Sequence, residues 1–482
     1  MSLSPIQMEK VSAVPLWQRW LSPHELVRDK ERAGEIQILD TQLFAEEIST
    51  IYSGKQTKSD QRAALLSLSK VKLSEGRKAL EAGLMRDRDG AVYVGAHAIL
   101  IDQLIGGLVA AAENYVFATK ARFALMAVGG YGRGELAPLS DIDLLFVMPQ
   151  RHKKSDAEFV EFILYMLWDL GLVVGHASRT VHQNIAAAGE DITICTSLLE
   201  MRSIAGATSV SEQMLSTFKH WVANQPAGYF VEAKLAERDQ RHARFGGTRY
   251  AVEPNVKDGK GGLRDLHTLF WISKYAYRLD HVRGVLGAGI LRTSEARAFA
   301  SSQRFLWTVR CFLHQHHGRE DDRLTFDAQM QLAPLMGFAD RSGLRGVERF
   351  MKRYYLAARQ VGNLTRIFCA ALATDFDQRP RLSLRKLWVA GVAQRLNIKP
   401  FTLEGERLHL PENMRFRDNR DLICELFYLA QIHELDIHPD SLRRLTRAVR
   451  SLTTAELQSL KTHERFLSVL ADKRNPERIL RL

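Results

Sequence analysis

Ala127-Val128-Gly129-Gly130-Tyr131-Gly132-Arg133-Gly134-Glu135, followed after four residues by Ser140-Asp141-Ile142-Asp143-Leu144, is the stretch on which the reading of this chain turns. Just before it, Phe123-Ala124-Leu125-Met126-Ala127-Val128 is an apolar run that predicts a strand ending where the chain must turn. Asp141 to Met148 is apolar after its opening and predicts a second, buried strand. Side chains two apart on a strand share a face, so Asp141 and Asp143 should project together. Two like charges ~4 Å apart repel by ~4 kcal/mol at an intermediate dielectric. They stay ionised together only with a cation between them, unless one takes a proton. Oxygen donors and a phosphate-bearing substrate favour Mg²⁺ or Mn²⁺ over zinc. For an isolated Asp-x-Asp, a solvated strand end with two unrelated aspartates is the better explanation.

The glycine pair shifts that balance. Glycines at the end of a strand let the backbone approach a polyphosphate closely and aim N–H groups at it. Arg133 adds a fork of donors for a phosphate oxygen. The pattern is neither a Walker loop nor a dinucleotide fingerprint, because no Gly-Lys-Ser/Thr follows and the Gly-x-Gly-x-x-Gly spacing is absent. A tight turn accounts for the glycines alone, but not for glycines, arginine and paired carboxylates within fifteen residues.

Gly-Gly-x-Gly-Arg-x-Glu-x-x-Pro-x-Ser-Asp-x-Asp-Leu resembles the nucleotidyltransferase signature of the DNA polymerase β superfamily. More narrowly, it is similar to the form found in bacterial PII uridylyltransferase/uridylyl-removing enzymes. Val174 to Thr180, Thr196 to Arg202, Glu253-Pro254-Asn255-Val256-Lys257 running into Gly261-Gly262-Leu263-Arg264-Asp265, His317 to Asp327 and Phe350 to Tyr355 fit the same family. The resemblance spans residues 70 to 480, roughly. It implies an α+β fold in which a small mixed-sheet nucleotidyltransferase core precedes a mainly helical region. It also implies UTP as nucleotide, Mg²⁺ or Mn²⁺ as cofactor, and a tyrosine hydroxyl of the trimeric nitrogen-signalling protein PII as acceptor. Asp141 and Asp143 then take the metal, while Gly129, Gly130, Arg133 and Ser140 take the nucleotide. Family members continue into an HD phosphohydrolase domain and two glutamine-sensing ACT domains. This chain ends at Leu482, soon after Asn475-Pro476 opens a fresh helix, and is expected to be truncated, with uridylyl removal and glutamine sensing tied to the absent parts.

Composition fits a cytoplasmic enzyme with no membrane role. The 482 residues are enough for two to four packed units. Cys195, Cys311, Cys369 and Cys424 show neither paired nor metal-type spacing, and Met1-Ser2-Leu3-Ser4-Pro5 lacks a signal-peptide layout. Ala98 to Ala112 is apolar but interrupted by Asp102 and Gln103, and reads as an amphipathic helix too short to cross a bilayer. The net charge of +12 has arginines at helical spacing along Arg341 to Arg366 and Arg443 to Arg450. A solvated helix face, steering of a charged nucleotide and docking of an acidic partner all fit. Nucleic acid comes second, because aromatic residues do not interleave with the arginines as a stacking platform requires.

Along the chain we expect an N-terminal, partly flexible helical segment over residues 1–70, with Ser53 to Ser59 flexible. A nucleotidyltransferase domain is expected over 71–210, a helical domain over 211–380, and a helical linker toward the missing domain over 381–482. Ser155 with Glu158 forms a capping box for a helix closed by Gly171. Leu172-Val173-Val174 and Leu199 to Ile204 read as strands, Ala186 to Ser197 is ambiguous, and Thr402 to Leu410 is β-like. Asp440 after Pro439, and Thr453 with Glu456, mark further helix starts.

Three more candidates remain. Glu200 matches the family's acidic position and is the candidate third carboxylate; the competing reading is a surface strand residue paired with Arg202. Asn255 and Lys257 precede Gly259 and Gly261-Gly262 and are candidates for triphosphate or base contact in company with the aspartate pair, although a basic surface loop is the better explanation when the stretch is taken alone. His314, His316 and His317 lack an obvious further ligand and read as packing or hydrogen-bonding residues. The expected reaction is transfer of UMP from UTP to PII with release of pyrophosphate. The rivals are a nucleotidyltransferase with an RNA-end or small-molecule acceptor, and a non-catalytic interaction module.

Overall fold

The computed structural model describes Val27 and residues 38–278, 293–376 and 398–471, the last range apart from 405–406, 412, 417–418, 420, 434 and 450–459. The Thr453 helix start therefore lies outside the described residues. The chain divides into two compact units, Met1–Thr365 and Arg366–Leu482.

The first unit is built around an apolar run from Gly90 to Ala111. Three helices, α1 (Thr41–Ser53), α2 (Lys58–Asp87) and α3 (Gly90–Ala111), open the unit. Ser53 to Ser59 is a short connection in which Gly54 ends α1 and the Thr57 side chain caps α2. Asp89 caps α3 by accepting from the Ala91 and Val92 amides. The helix is apolar on all sides rather than amphipathic, because α1, α2 and the sheet cover one part of it and the helix Thr293–His317 covers another. With the turn that follows it, the segment Gly90–Val116 is long and apolar enough to cross a membrane, longer than the sequence reading allowed. Its side chains serve the core instead: Leu100, Ile101, Leu104, Ile105 and Leu108 are fully buried.

Against this helix lies a mixed four-stranded sheet of β1 (Ala124–Ala127), β2 (Ile142–Met148), β3 (Val174–Thr180) and β4 (Arg202–Gly206), in the order β3-β2-β1-β4. β1 is antiparallel to both β2 and β4, whereas β2 and β3 are parallel and place Asp143 directly opposite Gly175. Phe123 and Phe146 meet edge to face at 5.6 Å on the buried side. Each such fully buried ring stabilises the sheet by about 1.5–3 kcal/mol. Between β1 and β2 the chain makes a single helical turn, α4 (Gly129–Gly132), entered through Gly129 at φ +60°.

The parallel pairing of β2 and β3 requires a crossover, supplied by α5 (Lys154–Asp169). This helix starts one residue before the expected capping box, because the Asp156 carboxylate closes onto the Lys153 amide at 2.7 Å. Gly171, at φ +78°, ends it as expected. The ambiguous stretch forms α6 (Val181–Glu190) and α7 (Ile192–Leu199), and β4 begins only at Arg202. Among the described residues that follow in this unit, the elements are helices: α8 (Thr208–Ala223), α9 (Ala227–Arg244), α10 (Leu263–Ala276), α11 (Thr293–His317), α12 (Phe326–Leu335) and α13 (Gly346–Phe376), the last of which the unit boundary after Thr365 divides. The fold class is α+β, a small mixed sheet followed by a mainly helical region.

The second unit holds a hairpin of β5 (Thr402–Glu404) and β6 (Arg407–His409), extended by β7 (Asp436–Ile437). With α14 (Asp421–Ile432), α15 (Pro439–Val449) and α16 (Leu460–Ala471) it encloses a core of Phe401, Leu408, Phe416, Leu426 and Val469.

Candidate active site

A cavity of about 220 Å³ opens where the α4 turn faces the start of β2. Eight of the nine residues singled out in the sequence line it: Gly129, Gly130, Arg133, Ser140, Asp141, Asp143, Glu200 and Lys257. Asn255 does not. Its side-chain oxygen accepts from the amides of Lys257 (3.0 Å) and Asp258 (2.6 Å), an Asx turn that shapes the loop carrying Lys257.

Asp141 stands one residue before β2 and is exposed, whereas Asp143 is half-buried on the strand. Burial pushes the Asp143 carboxyl above its ordinary value, and the neighbouring Asp141 and Glu200 carboxylates push it further. Lys257 and Arg133 oppose this rise without cancelling it. The Asp143 carboxylate also sits between two glycines. A β-carbon on Gly129 would lie 2.7 Å from Oδ2, and one on Gly175 would lie 2.7 Å from Oδ1. Gly175 is a site residue that sequence reasoning missed, because its role follows from the β2–β3 register and not from the signature loop. Gly175→Ala is expected to lower whatever reaction the Asp143 carboxylate supports by about a hundredfold, through displacement of that carboxylate. The thermal midpoint should move by no more than about 2 °C, since position 175 is exposed and in extended structure; parallel activity and melting measurements check both.

Glu200 ends α7 and does not belong to a strand. It is buried, with Oε1 accepting from the Arg133 guanidinium and from the Trp271 indole N–H. Arg202, the partner expected for a surface glutamate, instead pairs with Asp102 on α3 at 2.6 Å. Asp102 also accepts from the Tyr131 hydroxyl at 2.7 Å, so the one acid in the α3 core ties the glycine turn and β4 to that helix.

Arg133 is not free to reach outward. It donates to Glu135 at 2.7 Å as well as to Glu200, and these two carboxylates raise its pKa against the opposing effect of burial. Glu135 is itself buried, yet Arg133 and His267 pull its carboxyl down to about 2. His267 is buried with Nε2 3.0 Å from Glu135, and desolvation together with Arg133 lowers its pKa to about 3, so the ring is neutral. Trp271 completes the scaffold, with Lys234 Nζ, Arg264 Cζ and Arg133 Cζ at 5.0, 5.6 and 6.0 Å from its ring centroid.

The opposite wall carries Lys257 and Arg310, which both donate to Glu320 at 2.9 Å. Arg310 also donates to Asp322 (2.7 Å), as does His314 (2.9 Å), whose other ring nitrogen meets the Pro138 carbonyl. His314 is thus a buried hydrogen-bonding residue that braces the loop before Ser140. Ligand-type atoms of His314, Glu320 and Asp322 lie within 4.8 Å of one another. Arg310 and Lys257 already supply the positive charge there. The Ser140 hydroxyl and the Trp307 indole N–H are buried at this cavity without a hydrogen-bond partner.

The glycine turn, the aspartate pair and Glu200 thus line one cavity. Residues 117–180, which hold the turn and both aspartates, match the family model described as a nucleotidyltransferase domain. Residues 229–369, which hold the Lys257 loop and Arg310, match the model described as GlnD PII-uridylyltransferase. The bifunctional uridylyltransferase/uridylyl-removing enzyme of Azospirillum brasilense is 41% identical over 449 residues, 92% of this chain and 48% of the relative. The chain is a homologue of the bifunctional uridylyltransferase/uridylyl-removing enzymes. Relatives of the same name from Rhodospirillum rubrum and Nitrobacter hamburgensis are 42% and 39% identical, covering 88% and 95% of this chain and 45% and 50% of the relatives. The chain thus spans about half the length of the curated relatives it matches. Glu200 falls in neither of the two matched ranges.

Proposed function

We propose that this chain transfers UMP from UTP to a tyrosine hydroxyl of the PII nitrogen-regulatory protein in the cytoplasm, releasing pyrophosphate. The observation that carries the reading is the acid cluster of Asp141, Asp143 and Glu200 facing the Gly129-Gly130 turn within one cavity. The site's all-oxygen donor set, crowded enough to raise the Asp143 carboxyl, fits a hard divalent cation, Mg²⁺ or Mn²⁺. Asp141 and Asp143 would hold it, and Glu200 would join them with the oxygen not taken by Arg133 and Trp271. When bound, such ions lower the pKa of an acceptor hydroxyl and neutralise the leaving pyrophosphate.

The chain's own residues do the rest. Gly129 and Gly130 open a helical turn whose first amides have no partner within the turn, and they would face phosphate oxygens with no β-carbon in the way. The Ser140 hydroxyl, unpartnered at the cavity, would donate to one phosphate oxygen. Lys257 and Arg310 would exchange Glu320 for the phosphates. Arg133 acts indirectly, holding Glu135 and Glu200 in place and drawing the Glu135 carboxyl down. Positioning and charge neutralisation together account for the acceleration expected of such a site.

Incubation with purified PII, Mg²⁺ and labelled UTP should yield one labelled tyrosine on PII, found by peptide mapping, with one pyrophosphate released per label. A panel of nucleotides with PII present or omitted separates this outcome from another acceptor. Pyrophosphate release independent of PII, or no Mg²⁺-dependent UTP binding by calorimetry, would refute it.

A further inference from the structure

A second hollow, of about 600 Å³, adjoins the first and is lined by residues of α7 and α9. The two share Gly129, Asp143, Glu200 and Arg264, so the acid cluster stands in the wall between them. Both linings include unshared cations, Lys234 and Arg241 among those of the second, but they differ in their other residues. The first carries Ser140, Lys257 and Arg310, the donors suited to a polyphosphate. The second carries the hydroxyl residues Thr193, Thr196 and Ser197, the exposed Gln240 and Arg244, and the ring of Phe245, which is 40% exposed.

Displacement at the α-phosphorus places the attacking and leaving oxygens roughly in line on opposite sides of phosphorus. With pyrophosphate in the first cavity and the α-phosphorus at the shared acids, the line of attack comes from the second hollow. We propose that this hollow is the acceptor site, taking an exposed protein loop that presents a phenolic hydroxyl to Asp143 and Glu200; this rests on the function proposed above. The acceptor oxygen forms the new bond to the α-phosphorus. The bond from that phosphorus to the oxygen bridging toward the β-phosphate breaks, pyrophosphate leaves with the electron pair, and the hydroxyl proton passes to water in the open hollow. Phe245 offers the phenol ring a flat apolar surface, and Gln240 and Arg244 offer the loop backbone polar partners at the rim.

Two measurements test it on the full chain. Phe245→Ala and Arg244→Glu change exposed positions at the end of α9. Each should raise KM for PII about tenfold or more while leaving the calorimetric Kd for Mg·UTP within about twofold. Weakened UTP binding would place the nucleoside in this hollow and overturn the proposal, as would an unchanged KM for PII. Phe245→Cys, probed with a maleimide and peptide mass mapping, gives a readout independent of turnover. Protection by PII together with a non-hydrolysable Mg·UTP analogue, but not by Mg·UTP alone, supports the assignment. Protection by Mg·UTP alone, or by neither, overturns it. Wild-type protein that binds Mg·UTP but labels no PII counts against the function proposed above. Protection by Mg·UTP alone would still refute the cavity assignment separately.

Discussion

Asp143→Asn is expected to lower transfer by about a thousandfold or more while the metal-free protein melts at the same temperature as the parent or higher. The first half follows from removing a charged oxygen donor from the centre of the acid cluster, where metal-borne stabilisation is worth several kcal/mol and each 1.36 kcal/mol is tenfold in rate. The second half follows from the electrostatics of the site. Burial, Asp141 and Glu200 all hold the Asp143 carboxyl above its ordinary value. An acid with a raised folded-state value binds its proton more tightly when folded, so its ionisation weakens the fold as pH rises through that window. Asparagine never ionises, and the cost disappears. Added Mg²⁺ should raise the midpoint of the parent and leave that of the variant nearly unchanged. Thermal melts with and without metal, run beside the PII assay, read all three quantities. A variant that keeps more than a few per cent of parental activity with metal present would count against the proposed site.

Arg133→Met should act in the opposite way, costing about 3–5 kcal/mol of stability because it strands buried carboxylates without their cation. Arg133 bridges Glu135 and Glu200, both about 5% exposed. After the change Glu135 keeps only His267 and the Gln303 amide, and Glu200 keeps the Trp271 indole. The midpoint should fall by roughly 10 °C. In the parent, Glu135 has its carboxyl drawn down to about 2, so its contribution is present at neutral pH and is lost as pH falls through the carboxylate range. The gap between parent and variant should therefore be widest near neutrality and narrow in acid, which urea titrations at several pH values will show.

The strands around the signature were legible because their apolar runs are dense and their ends are marked. Phe123 to Val128 contains β1, and Ile142 to Met148 is β2. Asp141 fell outside its expected strand because the Ile142 amide already pairs with the Val173 carbonyl, where the β2–β3 ladder begins. Glu200 was expected on a strand, and its element was misread. Leu199 looks apolar enough for a strand, but α7 carries through it and β4 starts two residues after Glu200. Arg133 was read as a donor to a phosphate oxygen, and local spacing could not reveal that distant Glu200 and adjacent Glu135 claim its guanidinium. Gly175, Trp271 and Arg310 escaped notice for a shared reason: each reaches the site through tertiary register, not through a motif of its own. The apolarity of α3 was read as one-sided because Asp102 and Gln103 interrupt it. Asp102 is buried there by its own partners, Tyr131 and Arg202.

Glu320 bears on how the molecule would respond to its surroundings. Lys257 and Arg310 already share that carboxylate, so an incoming nucleotide would replace one counter-ion with another and would not meet bare cations. The tether makes this competitor unimolecular: it cannot be diluted away, and its effective concentration is fixed by the loop that carries it. Ionic strength screens both rivals in the same direction, so affinity for the triphosphate should vary less with salt than two unopposed positive charges would dictate.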